Sequence, residues 1–343
     1  MIQKELNRLF LIEEKNEYLG KNKEINKHIP LVSISVPTYN HENFIEECLD
    51  SILKQVTNFT FEIIIGEDQS DDRTREICIK YAEKYPNKIR LFLRDRKTSQ
   101  YFENGKFICR FNGLWNRMSA RGKYIAMCEG DDYWIDPLKL QKQVDFLEAN
   151  EEYVIHSANA SFYFQDEDNN KEILCRSEKE ERVLTLKNFY TQNNLSTLTV
   201  MFRNVKFDYP KEYKNILYGD WALYTIILKN DGCLAYRSNE VFACYRIHNN
   251  GLMLSNSKVK HHEHEANQLI KIYEYLELSP KKYNSNQKAT VTKVMNTYIL
   301  DLIAQRNFKS VFKYLFFDIK INGIGALFFY IKYYIRQIRK LWH

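Results

Sequence analysis

The chain has 343 residues, of which 44% are hydrophobic and 27% are charged, and its formal net charge at pH 7 is +6. This composition excludes an intrinsically disordered chain and supplies enough apolar residues for one large domain or one domain with an appendage. The mild positive charge is compatible with nucleic acid, an anionic membrane surface or a phosphorylated substrate, and selects none of them.

Cysteine spacing and hydropathy indicate the compartment. The seven cysteines are scattered without a CxxC pair, which predicts reduced thiols in a cytosolic protein rather than a disulfide framework or a zinc knuckle. The first residues are charged and helix-periodic, and lack the apolar core of a signal peptide. No uncharged apolar run approaches the roughly 20 residues of a membrane-spanning helix. We therefore expect a cytoplasmic protein.

The first half of the chain alternates strands and helices. After a polar helical lead-in over residues 1–30, apolar runs rich in β-branched residues predict four strands at 31–36, 61–66, 88–94 and 123–128. Apolar residues at helical spacing predict helices at 43–55, 72–86, 105–122 and 137–150. This alternation predicts an α/β fold with a mostly parallel sheet flanked by helices.

The second half changes in character. From about residue 152, short strand-like pieces mix with the helical run "DWALYTIILKN", and after Asn250 the chain becomes helical and increasingly basic. We therefore expect three parts: the lead-in at 1–30, the α/β domain at 31–250 and a helical, basic C-terminal extension at 251–343.

A cluster of carboxylates follows the fourth predicted strand. Glu129, Asp131, Asp132 and Asp136 all lie in "CEGDDYWIDP", and like charges this close repel unless a cation lies between them. Asp136 before Pro137 fits a helix N-cap, but one cap does not need three further acids. Since carboxylate oxygens are the preferred ligands of hard cations, we predict that Asp131 and Asp132 bind Mn²⁺ or Mg²⁺.

Two further polar clusters follow the first and second strands. Glu67 and Asp68 end a buried strand, where a carboxylate can accept a hydrogen bond from a base imide or a ribose hydroxyl; a structural turn is the alternative. Pro37, Thr38 and Tyr39 would pass as any turn, but their position favours contact with a nucleotide through backbone groups and a ring face. All three clusters lie at carboxyl ends of parallel strands, where open α/β sheets bind ligands.

The sequence lacks a glycine-rich phosphate loop. It contains neither GxGxxG nor GxxxxGK[ST], so the charge of a bound nucleoside diphosphate would fall to a cation at the acidic cluster.

Two single residues further along are candidates for the same site. Asp220 heads the apolar run "WALYTIIL" and is either a catalytic carboxylate or an N-cap. His248 follows a strand and shares a polar face with Arg246 by strand alternation, so it either contacts metal or diphosphate or is structural. The run "HHEHE" at 261–265 lacks the HExxH spacing and is predicted to be a solvated helix face.

Three stretches together resemble family 2 glycosyltransferases with the GT-A fold: "VSISVPTYNHENFIEECLDSIL", "FEIIIGEDQSDDRT" and "GKYIAMCEGDDYWIDPLKLQKQVDFLE". The resemblance extends over about residues 31–250, and the three motifs in order make it specific. It implies inverting transfer of a sugar from a nucleoside diphosphate donor. It also implies that Thr38 and Asp68 hold the nucleoside and that Asp220 is the catalytic base.

By the same resemblance, Glu129, Asp131 and Asp132 form the DxD-type element that binds ribose and metal. Glu129 stands where the family has Asp, so metal contact is expected at Asp131 or Asp132. The QxxRW signature of processive synthases is absent, which favours addition of a single sugar over polymerisation.

Other functions remain open at this point. A nucleotidyltransferase would also use metal on an α/β sheet, but would release pyrophosphate rather than a nucleoside diphosphate. A non-catalytic binding module would keep the fold without transfer, although the intact acids argue against it. A nucleic-acid binder is disfavoured because basic residues do not gather around the three clusters.

The last part of the chain, 308–343, interleaves aromatic and aliphatic residues with lysines and arginines and contains a single acid, Asp318. We expect it to lie on an anionic membrane surface, which would suit a lipid-linked acceptor at the inner face of the membrane; a helical appendage packed on the domain is the alternative.

Overall fold

The computed structural model describes residues 2–13, 17–20, 29–103, 105–164, 172–175, 180–213, 219–230, 232–249, 251, 257–326 and 330. The strands are β1 (Val32–Thr38), β2 (Phe61–Glu67), β3 (Ile89–Leu93), β4 (Gln100–Glu103), β5 (Lys106–Arg110), β6 (Tyr124–Met127), β7 (Tyr133–Trp134), β8 (Tyr153–Phe164), β9 (Glu172–Cys175), β10 (Arg182–Leu184), β11 (Met201–Arg203) and β12 (Leu234–Ile247). The α-helices are α1 (Ile2–Glu13), α2 (Ile45–Leu53), α3 (Thr74–Lys84), α4 (Asn112–Met118), α5 (Lys139–Ala149), α6 (Gly219–Ile227), α7 (Lys258–Tyr275), α8 (Ser285–Ala304) and α9 (Phe308–Asn322).

The central sheet is mostly parallel. Its strand order is β10-β12-β8-β11-β6-β1-β2-β3, with β7 paired to β12 and β9 paired to β8. The pairs β1–β2, β2–β3, β1–β6 and β8–β12 are parallel, while β11 runs antiparallel to both β6 and β8. The predicted α/β fold with a mostly parallel sheet, flanking helices and C-terminal helices is therefore confirmed.

The main core lies where the helices cover this sheet. The central strands β1 and β2 are buried along nearly their whole length, as expected for parallel strands covered on both faces. Helix α2 contributes Ile45, Cys48, Leu49 and Ile52 from a single face, at the helical spacing read in the sequence. This packing fixes the carboxyl ends of β1 and β2 at one edge, where the polar clusters begin.

The predicted helix over 105–122 is wrong in its first third. Residues 106–110 form β5, which pairs with β4 in an antiparallel hairpin, and α4 starts only at Asn112. Gly105 adopts a φ of +74°, a left-handed conformation that glycine adopts without strain and that a tight hairpin turn requires. The pair Asn-Gly at 104–105 is a sequence signal for a hairpin turn that the helix prediction overlooked.

Strand β12 unites two of the short strand-like pieces of the second half, "GCLAYR" and "EVFACYRI". It runs from Leu234 to Ile247 beside β8, and its register shifts between Arg237 and Ala243. The shifts interrupt the alternation of side chains, which explains why the sequence reads as two short strands.

The chain divides into two compact units. The first comprises Met1–Leu186, Asn194–Asn215 and Ile226–Leu254, and it contains the sheet. The second comprises Lys187–Asn193, Ile216–Thr225 and Ser255–His343. The proposed three-part division at residues 30 and 250 remains a prediction.

Within the second unit, α7, α8 and α9 pack through aromatic side chains. Tyr298 and Tyr314 meet edge to face with ring centroids 4.8 Å apart, and Tyr273 meets Phe317 at 5.4 Å. Residues 261–265 of α7, predicted as a solvated face, are instead half-buried, and His262 Nδ1 lies 2.7 Å from Asp301 Oδ2 of α8.

Among the described residues, the helices are each too short or too polar to cross a membrane.

Candidate active site

The loops after β1, β2 and β6 meet at the carboxyl edge of the sheet. The backbone N–H of Asp68 donates to the carbonyl of Thr38 at 3.1 Å, and the N–H of Gly130 donates to the carbonyl of Pro37 at 3.1 Å. The three polar clusters read in the sequence are therefore in direct contact in the first unit.

Gly130 makes this meeting possible. A Cβ placed at residue 130 would lie 2.6 Å from Thr38 Oγ1 and 2.8 Å from His41 Nδ1, closer than any side-chain carbon can approach. Any other residue at 130 would push the acidic loop away from the loop after β1. The glycine in "EGDD" thus sets the spacing between Thr38 and the carboxylates that follow.

Asp131 lies against two imidazoles. Its Oδ2 is 3.2 Å from His248 Nε2 and 3.7 Å from His41 Nε2. The His248 ring is 6% exposed and packs on Phe44 with ring centroids 4.5 Å apart, which fixes its orientation. Burial raises the pKa of the Asp131 carboxyl, but the hydrogen bond and charge of His248 and the charge of His41 outweigh it, so the pKa lies below its ordinary value.

Asp132 has a different environment. Its side chain is almost fully buried, and its Oδ1 accepts the backbone N–H of Arg246 at 2.9 Å. Its Oδ2 is buried and has no hydrogen-bond partner among the described residues. The pKa of the Asp132 carboxyl lies well above its ordinary value. Burial is the main cause, and the negative charges of Asp131 and Glu129 add to it.

Arg246 connects the acidic loop to α2. Its guanidinium donates to the carbonyl of Asp131 at 2.8 Å, forms an ion pair with Glu47 and lies 4.5 Å from the ring centroid of Tyr133. The pairing of β7 with β12 brings it there, since Tyr133 is opposite Cys244.

Tyr39 and Asp68 form the second part of the edge. Asp68 is 2% exposed; its carboxylate accepts from Arg96 Nη1 at 2.6 Å and from the Ser99 hydroxyl, and Arg110 Nη1 lies 3.7 Å away. Burial raises the pKa of the Asp68 carboxyl, and these donors offset that only in part. The Tyr39 hydroxyl donates to Asp71 at 3.0 Å.

Two further residues that were predicted to bind the nucleotide, Glu67 and Glu129, differ in how far their side chains are exposed. Glu67 is fully buried; its Oε1 accepts the Ser70 N–H at 2.7 Å and its Oε2 pairs with Arg75. Glu129 is half-buried, and its carbonyl accepts the N–H of Asp132 at 3.0 Å.

Asp220 lies in the first turn of α6, in the second unit. Its Oδ2 accepts a hydrogen bond from Asn193 Nδ2 at 2.8 Å. The following Trp221 is buried and donates its indole N–H to the carbonyl of Phe189 at 2.8 Å, which fixes the start of the helix.

The donor set at Asp131 is compatible with a divalent cation. A carboxylate and an imidazole suit Mn²⁺, and such ions commonly take one or two protein ligands and complete their coordination with substrate phosphates and water. Within the described part of the chain, no group of three or more His, Cys, Asp or Glu side chains is arranged to hold a metal ion. Phosphate oxygens would have to complete a site built on Asp131 and His248.

Sequence reasoning missed three residues of this edge. His41 follows Thr38 by three positions and was part of the quoted motif, so its spacing could have indicated it. Arg246 was noted only for sharing a face with His248. Arg96 lies in the loop after β3, and no local pattern distinguishes it from other surface arginines.

Residues 33–210 match the model of the family described as "Glycosyl transferase family 2". An uncharacterized protein of Mycobacterium tuberculosis (strain ATCC 25618 / H37Rv) is 33% identical over 222 residues, which are 65% of this chain and 59% of that relative. The chain therefore spans less than two thirds of the mycobacterial relatives that it matches.

Two further proteins are similar over a comparable part of the chain. The Escherichia coli UDP-Glc:alpha-D-GlcNAc-diphosphoundecaprenol beta-1,3-glucosyltransferase WfgD is 27% identical over 222 residues, 63% of this chain and 77% of that protein. The crystal structure of S. aureus TarS 1-349 in complex with UDP superposes with a TM-score of 0.49 and 19% identity, covering 78% of this chain and 71% of that one.

Proposed function

The chain belongs to glycosyl transferase family 2, and from that membership we propose that it transfers a single sugar, with inversion, from a nucleoside diphosphate sugar to an acceptor hydroxyl. The observation that carries the proposal is the contact of Asp131 with His248 beside Thr38 and Asp68, because it places a candidate cation site next to a candidate nucleoside site. The name of the E. coli relative, a UDP-Glc transferase, favours uridine as the base.

The nucleoside would lie over the loops after β1 and β2. We assign the base to the Tyr39 ring and the Asp68 carboxylate, and the ribose to Glu129 and Asp131. Pro37 and Thr38 would line the nucleoside site with their backbone atoms. Their carbonyls accept hydrogen bonds from the N–H groups of Gly130 and Asp68, which hold this backbone between the two neighbouring loops.

Glu67 is also assigned to the nucleotide, but its contribution would be indirect. Both of its carboxylate oxygens are engaged inside the fold, by Ser70 and Arg75. It would hold the loop that carries Asp68.

Asp131 and His248 are the proposed protein ligands of Mn²⁺ or Mg²⁺. A cation there would neutralise charge on the diphosphate as it leaves. Asp132, the other predicted ligand, is nearly inaccessible and has a raised carboxyl pKa, which favours a structural contribution through the N–H of Arg246.

Transfer then requires a base on the acceptor. We propose that the Asp220 carboxylate accepts the hydroxyl proton as the acceptor oxygen attacks the anomeric carbon. The bond from that carbon to the diphosphate oxygen breaks on the opposite face, and positive charge builds on the sugar ring.

The acceptor is proposed to be a lipid-linked or surface-polysaccharide precursor, in keeping with the diphosphoundecaprenol substrate in the name of the E. coli relative.

A thermal-shift screen of UDP, GDP and their sugars, with and without Mn²⁺, tests the donor without a known acceptor, because a ligand that binds the folded state raises Tm by mass action. We expect one nucleoside diphosphate to raise Tm, and more with Mn²⁺. Slow hydrolysis of the sugar donor should release a nucleoside diphosphate. Release of pyrophosphate from a nucleoside triphosphate incubated with a sugar phosphate would instead support a nucleotidyltransferase. Binding without any turnover, even with acceptor extracts, would support a binding module.

The protein is further proposed to work in the cytoplasm, at the inner face of the membrane, through its C-terminal segment. In α9, Phe308, Phe312 and Phe316 are 58%, 70% and 71% exposed. Residues 327–329 and 331–343 of that segment lie outside the described residues, so the proposal rests on α9 and on the basic, aromatic sequence.

A further inference from the structure

Arg96 covers the ring of Tyr39. The carbon of its guanidinium lies 3.3 Å from the centroid of that ring, at stacking distance. The Arg96 side chain is 23% exposed and comes from the loop after β3, not from either strand whose end carries Tyr39 or Asp68. A planar cation from a third segment thus lies on the aromatic surface assigned to the base.

The same guanidinium also engages the carboxylate assigned to the base. Arg96 Nη1 donates to Asp68 Oδ2 at 2.6 Å. One planar group therefore stacks on Tyr39 and donates an N–H to Asp68 at the same time. A nucleobase bound as proposed above would make these two contacts, one through its ring face and one through its imide N–H.

We infer that Arg96 occupies the place of the nucleobase in the donor-free protein and is displaced when the donor binds. This inference rests on the proposed function, since it requires a nucleoside at Tyr39 and Asp68. When an internal group competes for a site, the apparent affinity for a ligand equals the intrinsic affinity multiplied by the fraction of molecules in which the site is open. Arg96 would therefore weaken binding of the base and favour ligands that also offer a diphosphate.

Displacement would not leave Asp68 without partners. The Ser99 hydroxyl still donates to its Oδ1, and Arg110 Nη1 lies 3.7 Å from its Oδ2. Arg110 is more exposed than Arg96, with 44% of its side chain accessible. The carboxylate keeps a hydrogen bond and a nearby positive charge while Oδ2 becomes available to an incoming N–H donor.

The experiment compares uridine with UDP on four proteins: wild type, R96A, R96K and R73A. Uridine carries no phosphate, so it reports the base contact without the attraction between Arg96 and a diphosphate. R96K keeps a charge for Asp68 but loses the planar stack, and it serves if R96A folds poorly. Arg73 is the matched control, because its side chain is 75% exposed and pairs with Glu42. Binding is measured by calorimetry and by saturation-transfer NMR.

We expect R96A to bind uridine at least about fivefold more tightly than wild type, R96K to fall between them, and R73A to match wild type. The gain for UDP should be smaller. Uridine affinity that is unchanged or lower in both Arg96 variants, while wild type binds UDP, would overturn the inference alone. Wild type that binds none of the nucleoside diphosphates would overturn the proposed function, and the inference with it.

A second measurement follows the displacement directly. In protein labelled at arginine, the side-chain resonances of Arg96 should be shifted upfield by the Tyr39 ring in the donor-free state, and R96K identifies them by their loss. Adding UDP should move them to ordinary values. Resonances that keep their upfield shift at saturating UDP would mean that Arg96 stays on the ring and that the base binds elsewhere.

Discussion

Asp131 and Asp132 are adjacent in the chain but differ in side-chain exposure, in contacts and in carboxyl pKa. Asp131 contacts imidazoles and has a lowered carboxyl pKa, whereas Asp132 is buried with a raised one. Asp131→Asn should therefore reduce Mn²⁺-dependent donor binding by about a hundredfold with little loss of stability. Asp132→Asn should keep donor binding within a few-fold, because an amide oxygen can still accept the Arg246 N–H. Calorimetry with UDP and Mn²⁺ checks both; equal losses in the two variants would contradict the distinction.

The proposed base gives a second test at a single residue. Asp220 lies within the first turn of α6, and its Oδ2 accepts from Asn193. An Asn amide oxygen can accept the same hydrogen bond, so Asp220→Asn should lower folding stability by at most about 1 kcal/mol through the lost charge at the helix N-terminus. It should also bind donor and metal normally. Loss of a general base should lower the transfer rate by about a hundredfold or more. Rate measurements with saturating donor check this, and transfer at near wild-type rate would mean that the base is another group.

Lys139 provides a test of pH dependence. It is fully buried, donates to Gln143 Oε1 at 2.7 Å and lies 4.0 Å from the Trp134 ring centroid. Burial lowers its pKa from 10.5 to about 7, offset only partly by Cys128 and Asp136. Between these values the unfolded chain binds a proton that the folded protein does not, so this group makes stability rise with pH by about 1.4 kcal/mol per unit at most.

Lys139→Met should remove that contribution and stabilise the protein most near pH 7. The difference in unfolding free energy between variant and wild type should shrink from pH 7 to 9.5, as followed by chemical denaturation. Lys142→Met is the matched control, because Lys142 is 37% exposed and pairs with Asp136 and Glu240. A constant difference between Lys139→Met and wild type across this range would show that Lys139 does not titrate there.

Among the elements, helix α9 is the one proposed to contact an anionic membrane surface. Its buried face includes Asp318, which accepts from Thr292 and Tyr330, so the single acid of this helix does not reach the surface. Its exposed face presents three phenylalanines at four-residue spacing next to Lys309 and Lys313. An aromatic stripe with flanking positive charge and no exposed acid is typical of helices that lie in an anionic membrane interface.

The double variant Phe312→Ser, Phe316→Ser should bind anionic vesicles at least about tenfold more weakly than wild type in flotation, and wild-type binding should fall with salt. Phe102→Ser serves as the control, since Phe102 is 51% exposed and lies on a hairpin of the first unit. Flotation of the double variant equal to that of wild type would remove α9 as the contact. A concentration-dependent change in mass that the double variant abolishes would instead indicate self-association through this face.

The elements also show what local sequence could and could not predict. Strands β1, β2, β3 and β6 were predictable because each is buried along most of its length and is rich in apolar residues. The error at 105–122 arose because a hairpin and a short helix lie next to each other, so apolar residues of two periods merged. At the candidate site, Asp131 and His248 were predicted from their positions at strand ends, and the structure brings their side chains together. The stacking of Arg96 on Tyr39 depends on a contact 57 residues apart in sequence that no local pattern encodes.

At the scale of the whole molecule, the family match and the two units divide the chain differently. Residues 33–210 carry the match, and they include the loops that hold Thr38, Asp68 and Asp131. Helices α7, α8 and α9 lie beyond it. The residues proposed to hold the nucleoside therefore lie within the family match, whereas Asp220, His248 and α9 lie beyond it.

The pairing of β12 determines where the protein can change length. From Ala243 to Ile247 the strand pairs with β8 without interruption, and His248 follows directly. Removing one residue there would move His248 to the opposite face and bring Asn249 to the place beside Asp131 that the imidazole occupies. Between Arg237 and Val241 the register already slips, so a deletion at 238–240 could be absorbed locally while His248 keeps its place. Loop grafting or tag insertion at this strand should therefore use residues 238–240 and leave the regularly paired residues 243–247 intact.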